Sequence, residues 1–258
     1  MKKIALFAVM AIALVSCKND DDSGTIIETP TVNVNFNFTH NWNGSEILES
    51  DFENTQYTNA AGTVQTISKI VYLISDVTFT DTNGIKYDAG DFNLVDVRRE
   101  SNLSFTPTIH IPTGDYTVSF TFGFDDEDNI DGAYPELNAT GEGLWGVPQP
   151  LGGGYHYMRL EGKFIDSSAF EVGYAYHAIR ANDNSTGTLQ LTDTSFKVNL
   201  GSVTIGETTG IEVKMNVAEW FNPWDLEAWH ATLMPNYAAQ ISISENGADV
   251  FSLGTVTQ

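Results

Sequence analysis

Cysteine is almost absent from this 258-residue sequence, which carries only Cys17. No internal disulfide can form and no thiolate cluster can be built, so a disulfide-stapled scaffold and a cysteine-ligated metal site are both excluded. Basic residues are scarce as well: 12 Lys and Arg stand against 34 Asp and Glu, a formal net charge of −22. Phosphate binding needs clustered cations, so nucleic acid is excluded as a partner, and so is adhesion to anionic lipid by surface charge. The same balance suits cationic partners, metal ions among them. The apolar run at residues 4–15 is about 12 residues long, short of the roughly 20 that a membrane-spanning helix needs. Catalytic signatures are missing too. There is no G-x-S-x-G, no phosphate-binding glycine loop and no cysteine nucleophile, and the many carboxylates offer no pair that spacing alone singles out. We therefore expect a binding protein and not an enzyme.

What is present begins at the amino terminus. Lys2 and Lys3 precede the short apolar run, which ends in Leu14-Val15-Ser16-Cys17. A basic start, a short apolar stretch and a small residue before the junction form a signal peptide over residues 1–16. The junction resembles the bacterial lipobox, whose cysteine is acylated and becomes the new amino terminus. Acylation of Cys17 would also remove the one free thiol from an oxidising compartment. Residues 17–30 include Lys18-Asn19-Asp20-Asp21-Asp22-Ser23-Gly24, a solvated acidic tether by composition. It also resembles the acidic export signal of Bacteroidetes surface lipoproteins. The expectation is an outer-membrane lipoprotein facing the periplasm or the cell surface, held by its lipid anchor, with residues 31–258 forming one domain.

Alternation dominates that region. Val32, Val34, Phe36, Phe38 and His40 recur at every second position, with Asn33, Asn35, Asn37 and Thr39 between them. This is the pattern of a half-buried strand, and it puts His40 on the apolar face. Residues 70–79, and Tyr116, Val118, Phe120, Phe122 and Phe124, repeat the theme. Further strands are expected at residues 155–161, 170–179, 188–192, 196–203, 211–217 and 239–244. Turns fall at Asp81-Thr82-Asn83-Gly84, Pro112-Thr113-Gly114, Gly152-Gly153-Gly154, Asn182-Asp183-Asn184 and Asn246-Gly247. Helix is expected only near residues 217–221 and 224–234. The fold class is all-β, an antiparallel β-sandwich with one or two short helices near the C-terminus.

Five histidines are the groups best suited to chemistry: His40, His110, His156, His177 and His230. His40 ends an apolar strand face, and His177 lies within Tyr174-Ala175-Tyr176-His177-Ala178-Ile179. Imidazole on a rigid strand suits Cu, Zn or Ni. Taken singly, each histidine also fits a hydrogen-bonded core or rim residue, and no H-x-H or H-x₃-H spacing overrides that. Residues 125–132 contain half of an EF-hand pattern in Glu127, Asn129, Asp131 and Gly132. Glu replaces the first Asp, and Asn138 stands where a bidentate Glu is needed, so a solvated turn without calcium is expected. Trp42, Trp145, Trp224 and Trp229 flank glycine or proline loops and could form an exposed sugar-stacking platform. That is the alternative function: a surface module for a glycan or an outer-membrane protein, with no metal.

The order of segments adds a family. Phe38-Thr39-His40-Asn41-Trp42-Asn43-Gly44 is followed by S-K-I-V-Y-L-I-S-D-V from Ser68, F-N-L-V-D from Phe92 and I-P-T-G-D-Y-T-V-S-F-T-F-G-F-D from Ile111. Gly143-Leu144-Trp145, G-Y-H-Y-M-R-L-E-G from Gly154, His177 and E-N-G-A-D-V-F from Glu245 complete the series. In this order and spacing the chain resembles the MbnP-like copper-binding domain family, named for a protein associated with methanobactin in methane-oxidising bacteria. The resemblance implies a β-sandwich that binds copper as a carrier, scavenger or partner of an uptake or redox system. It implies His40 and His177 as ligands, with Trp42, Trp145 and His156 as possible neighbours, although His156 stands where an aromatic or aliphatic residue is expected. It further implies a tryptophan oxidised to kynurenine beside the metal, with a di-haem oxidase or an outer-membrane transporter as partner.

Overall fold

A computed structural model of the protein describes residues 30–139 and 144–258. The expected signal peptide, Cys17 and all of the tether except Pro30 lie outside the described residues. Among those described, no helix is long and apolar enough to cross a membrane.

Two sheets face one another. Their main strands are β1 (Asn35–Trp42), β2 (Val64–Asp81), β3 (Phe92–Asp96), β4 (Gly114–Phe122), β5 (Met158–Ile165), β6 (Glu171–Ala178), β7 (Phe196–Ile205), β8 (Gly210–Asn216) and β9 (Phe251–Thr257). The larger, eight-stranded sheet runs β6-β5-β2-β4-β7, and β3 and two short strands also pair with the long β2. The smaller sheet runs β9-β8-β1, with short strands Ser45–Glu46 and Ser104–Phe105 added to β1. The pairings are antiparallel except that β8 lies parallel to β1, which closes the smaller sheet with a crossover. The expected all-β sandwich is what forms.

Alternation explains the packing. In β1, Phe36, Phe38, His40 and Trp42 are buried and the residues between them are not. From the other sheet Ile70, Tyr72, Ile74, Met158, Leu160 and Tyr176 meet them in one continuous core. Aromatic rings fill its centre: Phe122 lies 4.9 Å from Phe196 and 5.1 Å from Trp220, and Phe120 lies 5.4 Å from Phe251. Each such side chain contributes about 1.5–3 kcal/mol on burial. The larger sheet is also covered on its outer side. Val71, Leu73 and Leu94 point away from the main core and pack with Phe124, Leu137, Trp145 and Tyr155 into a second, smaller cluster. The described residues between β4 and β5, 123–139 and 144–157, therefore lie as a flap over the back of the sheet.

Three expectations change. Residues 239–244 form a helix, within α2 (Tyr237–Asn246), and not a strand. Asn236 caps it by accepting a hydrogen bond from the Ala239 N–H at 3.2 Å, and Ala239, Gln240 and Ile243 are buried at helical spacing. Of residues 224–234, only α1 (Leu226–Trp229) is helical. The strand expected from residue 155 starts at Met158, because Tyr155 and His156 pair locally with the flap instead.

Candidate metal centre

β5 and β6 bring the site residues to the outer side of the larger sheet. Arg159 on β5 stands opposite both Val71 on β2 and His177 on β6, so the three side chains share the face that Val71 occupies. Met158, Tyr72 and Ala178 form the neighbouring row, which faces the main core. His177 is therefore outside the sandwich and His40 inside it.

His40 is 5 % exposed, and its Nε2 lies 3.0 Å from the Tyr72 hydroxyl. Burial pushes its pKa down to about 3, so it is neutral in the folded protein. The structure does not bring His40 and His177 together, since the larger sheet itself stands between them, and the expected pairing fails for that reason. Trp42 is also remote from His177. It stacks on Tyr57 at 4.7 Å and donates its indole N–H to the Thr58 carbonyl at 3.3 Å.

What gathers instead is His156, His177 and Trp145. The flap returns to the sheet as a small hairpin: Val147 N–H donates to the Gly154 carbonyl and His156 N–H to the Trp145 carbonyl. Asn138 Oδ1 accepts from the Trp145 and Gly146 amides at 2.9 and 3.1 Å, and Asn129 Oδ1 accepts from Tyr155 N–H at 2.7 Å. Gly154 has φ +77°, and a Cβ there would collide with Asn129 and Arg180, so only glycine fits this turn. The result places the fully buried Trp145 ring 5.8 Å from the His156 ring, and His156 5.5 Å from His177 at 83° between planes.

The hydrogen bonds assign the ring protons. His156 Nδ1 is 2.8 Å from the Trp145 carbonyl, which can only accept, and 3.4 Å from an Arg159 guanidinium nitrogen, which can only donate; the shorter contact favours the tautomer with the hydrogen on Nδ1 and the lone pair on Nε2. His177 Nε2 is 2.9 Å from Glu161 Oε1, so Nε2 carries the hydrogen there. His177 Nδ1 is buried with no hydrogen-bond partner. Burial and the adjacent Arg159 cation push His156 down to about 3, so it too is neutral. Glu161 is held below the usual carboxylate range, first by its hydrogen bond to His177, and Lys69 stands 3.7 Å away. The Arg159 guanidinium lies over Trp145, 4.7 Å from the ring centre, and donates to the Leu144 carbonyl. Trp145 Nε1 is a second buried nitrogen without a partner.

This arrangement meets the demands of a metal on imidazole. Each ring has one nitrogen oriented by an oxygen acceptor and one left basic, the outer arrangement that metal-binding histidines use. Two imidazoles bound to one metal at about 2 Å have ring centres roughly 5–6 Å apart at ordinary bond angles, and the observed separation is 5.5 Å. Among the described residues no group of three or more His, Cys, Asp and Glu side chains is arranged to hold a metal ion. The two rings are therefore a pair and not part of a larger cluster of such side chains. Asp125, at the head of the acidic segment, accepts from the amides of Glu127 and Asp128 at 3.0 and 3.1 Å and so closes a turn. Trp42, Trp145 and Trp224 are buried and Trp229 is partly buried, so these four form no exposed stacking platform.

Fold and site together define a β-sandwich with a histidine pair under a flap on the back of one sheet. The sequence profile of the MbnP family matches residues 31–237, and the chain belongs to that family. The solved structure of MbnP from Methylosinus trichosporium aligns with a TM-score of 0.51 at 13 % identity, over 77 % of this chain and 80 % of that one, and so shares the fold. No curated protein matches the sequence.

The sequence held a signal against pairing His40 with His177. Tyr174, Tyr176 and Ala178 alternate as the core-facing row of β6, which puts His177 on the opposite face from a histidine in the Phe36–Phe38 row. What it did not show is that the flap would fold back to set His156 beside His177.

Proposed function

We propose that this protein binds copper between His156 Nε2 and His177 Nδ1, as an envelope lipoprotein anchored through Cys17 that carries or scavenges the metal without turning over a substrate. The carrying observation is the pair of imidazoles 5.5 Å apart, each with one ring nitrogen held by an oxygen acceptor. Two nitrogen donors with no thiolate or carboxylate in a buried setting favour Cu(I) or a low-coordinate Cu(II), and copper is the metal that the family resemblance led us to expect. Bound copper would supply a redox-active or transferable cation. The chain's own part is to keep His156 neutral by burial, to orient both rings through Trp145 and Glu161, and to cover them with the flap. A di-haem oxidase or an outer-membrane transporter is the proposed partner.

The test is metal content after Cu(I) loading of the purified protein. About one copper per chain is expected, lost in His156→Ala/His177→Ala and retained in His40→Ala. Copper retained by the first variant and lost from the second would overturn the assignment.

A further inference from the structure

α2 carries a polar side chain where an apolar one would be expected. Gln240 is 0 % exposed, and a buried amide is costly unless its hydrogen-bonding groups are met. Here they are met. Oε1 accepts from the Ile179 N–H at 2.8 Å, and Nε2 donates to the His177 carbonyl at 2.9 Å and the Leu233 carbonyl at 3.2 Å.

The pattern has a structural meaning. β6 is the last strand of the larger sheet and pairs only with β5. A parallel neighbour on its open edge would use the N–H and C=O of one residue to take a carbonyl and an N–H two residues apart. The Gln240 amide does this at His177 and Ile179, so it stands in for the N–H and C=O of one residue of a missing strand. It closes the edge at His177 itself. On the side away from Ile179, residues 173–175 and His177 itself line a cleft of about 380 Å³ whose other wall is residues 230–235. Edge strands open at low cost where nothing holds them. The third bond, to Leu233, ties the same amide to that opposite wall. Gln240 also lies beyond residues 31–237, the part matched by the family profile.

We propose that Gln240 is a positioning residue for His177: it fixes the open edge of β6 so that the His177 ring stays beside His156, and it links that ring to residues 230–235. The inference rests on the proposed copper site, but it makes a claim about the metal-free protein as well. Glu161 sets the proton on the His177 ring, and Gln240 sets the backbone from which the ring projects.

The test compares Gln240→Leu with Asn182→Ala in the purified protein. Asn182 donates to the Met234 carbonyl at 2.7 Å, so its loss loosens the same segment without touching β6 at His177. Two readouts are taken: Cu(I) affinity by competition with a chromophoric chelator, and ¹⁵N chemical shifts of the His177 ring without metal. Gln240→Leu is expected to weaken copper binding about 10–100-fold, as loss of an outer-shell partner does, and to shift the His177 ring from its single Nε2–H form to an averaged signal. Asn182→Ala should lower thermal stability and leave both readouts unchanged. Wild-type affinity and an unchanged ring signal in Gln240→Leu would overturn the inference. If the wild-type protein takes up no copper, the proposed function fails, and the ring signal alone decides the role of Gln240. Gln240→Glu keeps the acceptor for Ile179 and removes the two donations, so it carries the same readouts should Gln240→Leu not fold.

Discussion

Mild acid should destabilise this protein through two histidines before its carboxylates titrate. His40 and His156 are buried and neutral, each with its pKa pushed down to about 3. In the unfolded chain both return to about 6.5. Between those values the unfolded state binds a proton at each site and the folded state does not, so stability rises with pH across this window and falls as pH drops through it. At pH 5 the difference is about 1.5 pH units at about 1.4 kcal/mol each, or about 2 kcal/mol per histidine and about 4 kcal/mol for the two. A domain has about 5–15 kcal/mol in total, so the effect is a large part of the whole. Carboxylates held below their ordinary range, such as Glu161 and Glu212, add their losses at lower pH. Asp76, raised by burial, acts in the opposite sense. The assay is urea unfolding at pH 7.5 and 5.0 for the wild type, His40→Leu, His156→Leu and the double variant. His40→Leu should cost about 1–3 kcal/mol at pH 7.5, because it leaves the Tyr72 hydroxyl unpaired, and about 2 kcal/mol less than that at pH 5.0, where the variant escapes the penalty of keeping His40 neutral. The drop between the two pH values should be about 4 kcal/mol in the wild type, about half that in each single variant, and close to zero in the double. A wild type equally stable at both pH values, or a double variant that loses as much as the wild type, would refute the reasoning.

Two further outcomes follow from the site. Glu161→Ala removes the acceptor that orients His177 and should weaken copper binding about 10–100-fold, while Glu161→Gln, which can still accept from Nε2–H, should lose less; chelator competition decides, and equal losses would separate the charge of Glu161 from its hydrogen bond. Gly154→Ala forces a side chain into the left-handed region against Asn129 and Arg180 and should lower stability by about 2–4 kcal/mol. Thermal unfolding reads that cost, and an unchanged midpoint would mean the flap turn is looser than its contacts indicate.

Local pattern alone determined much of this molecule. The period-two rows of β1 and β4 announced strands, and the scarcity of cysteine and of basic residues removed thiolate sites and nucleic acid from consideration. The ordered motifs pointed to the MbnP family, and the profile match shows it. Alternation also put His40 on an apolar face, where the structure finds it. Parity along one strand says which residues share its faces, but not which of those faces meets the other sheet and which meets a flap. That choice needs long-range register: Arg159 opposite both Val71 and His177, and a hairpin near Gly154 that returns His156 to the back of the sheet. Residues 239–244 show the same limit, because Ala239, Ile241 and Ile243 alternate as a strand would. Their helix is selected by the Asn236 cap and by burial of Ala239, Gln240 and Ile243 together. Hydrophobic periodicity is local and survives in the chain as written. The meeting of His156 with His177, 21 positions on, and of His177 with Gln240, 63 positions on, depends on contacts that only packing of the whole domain decides.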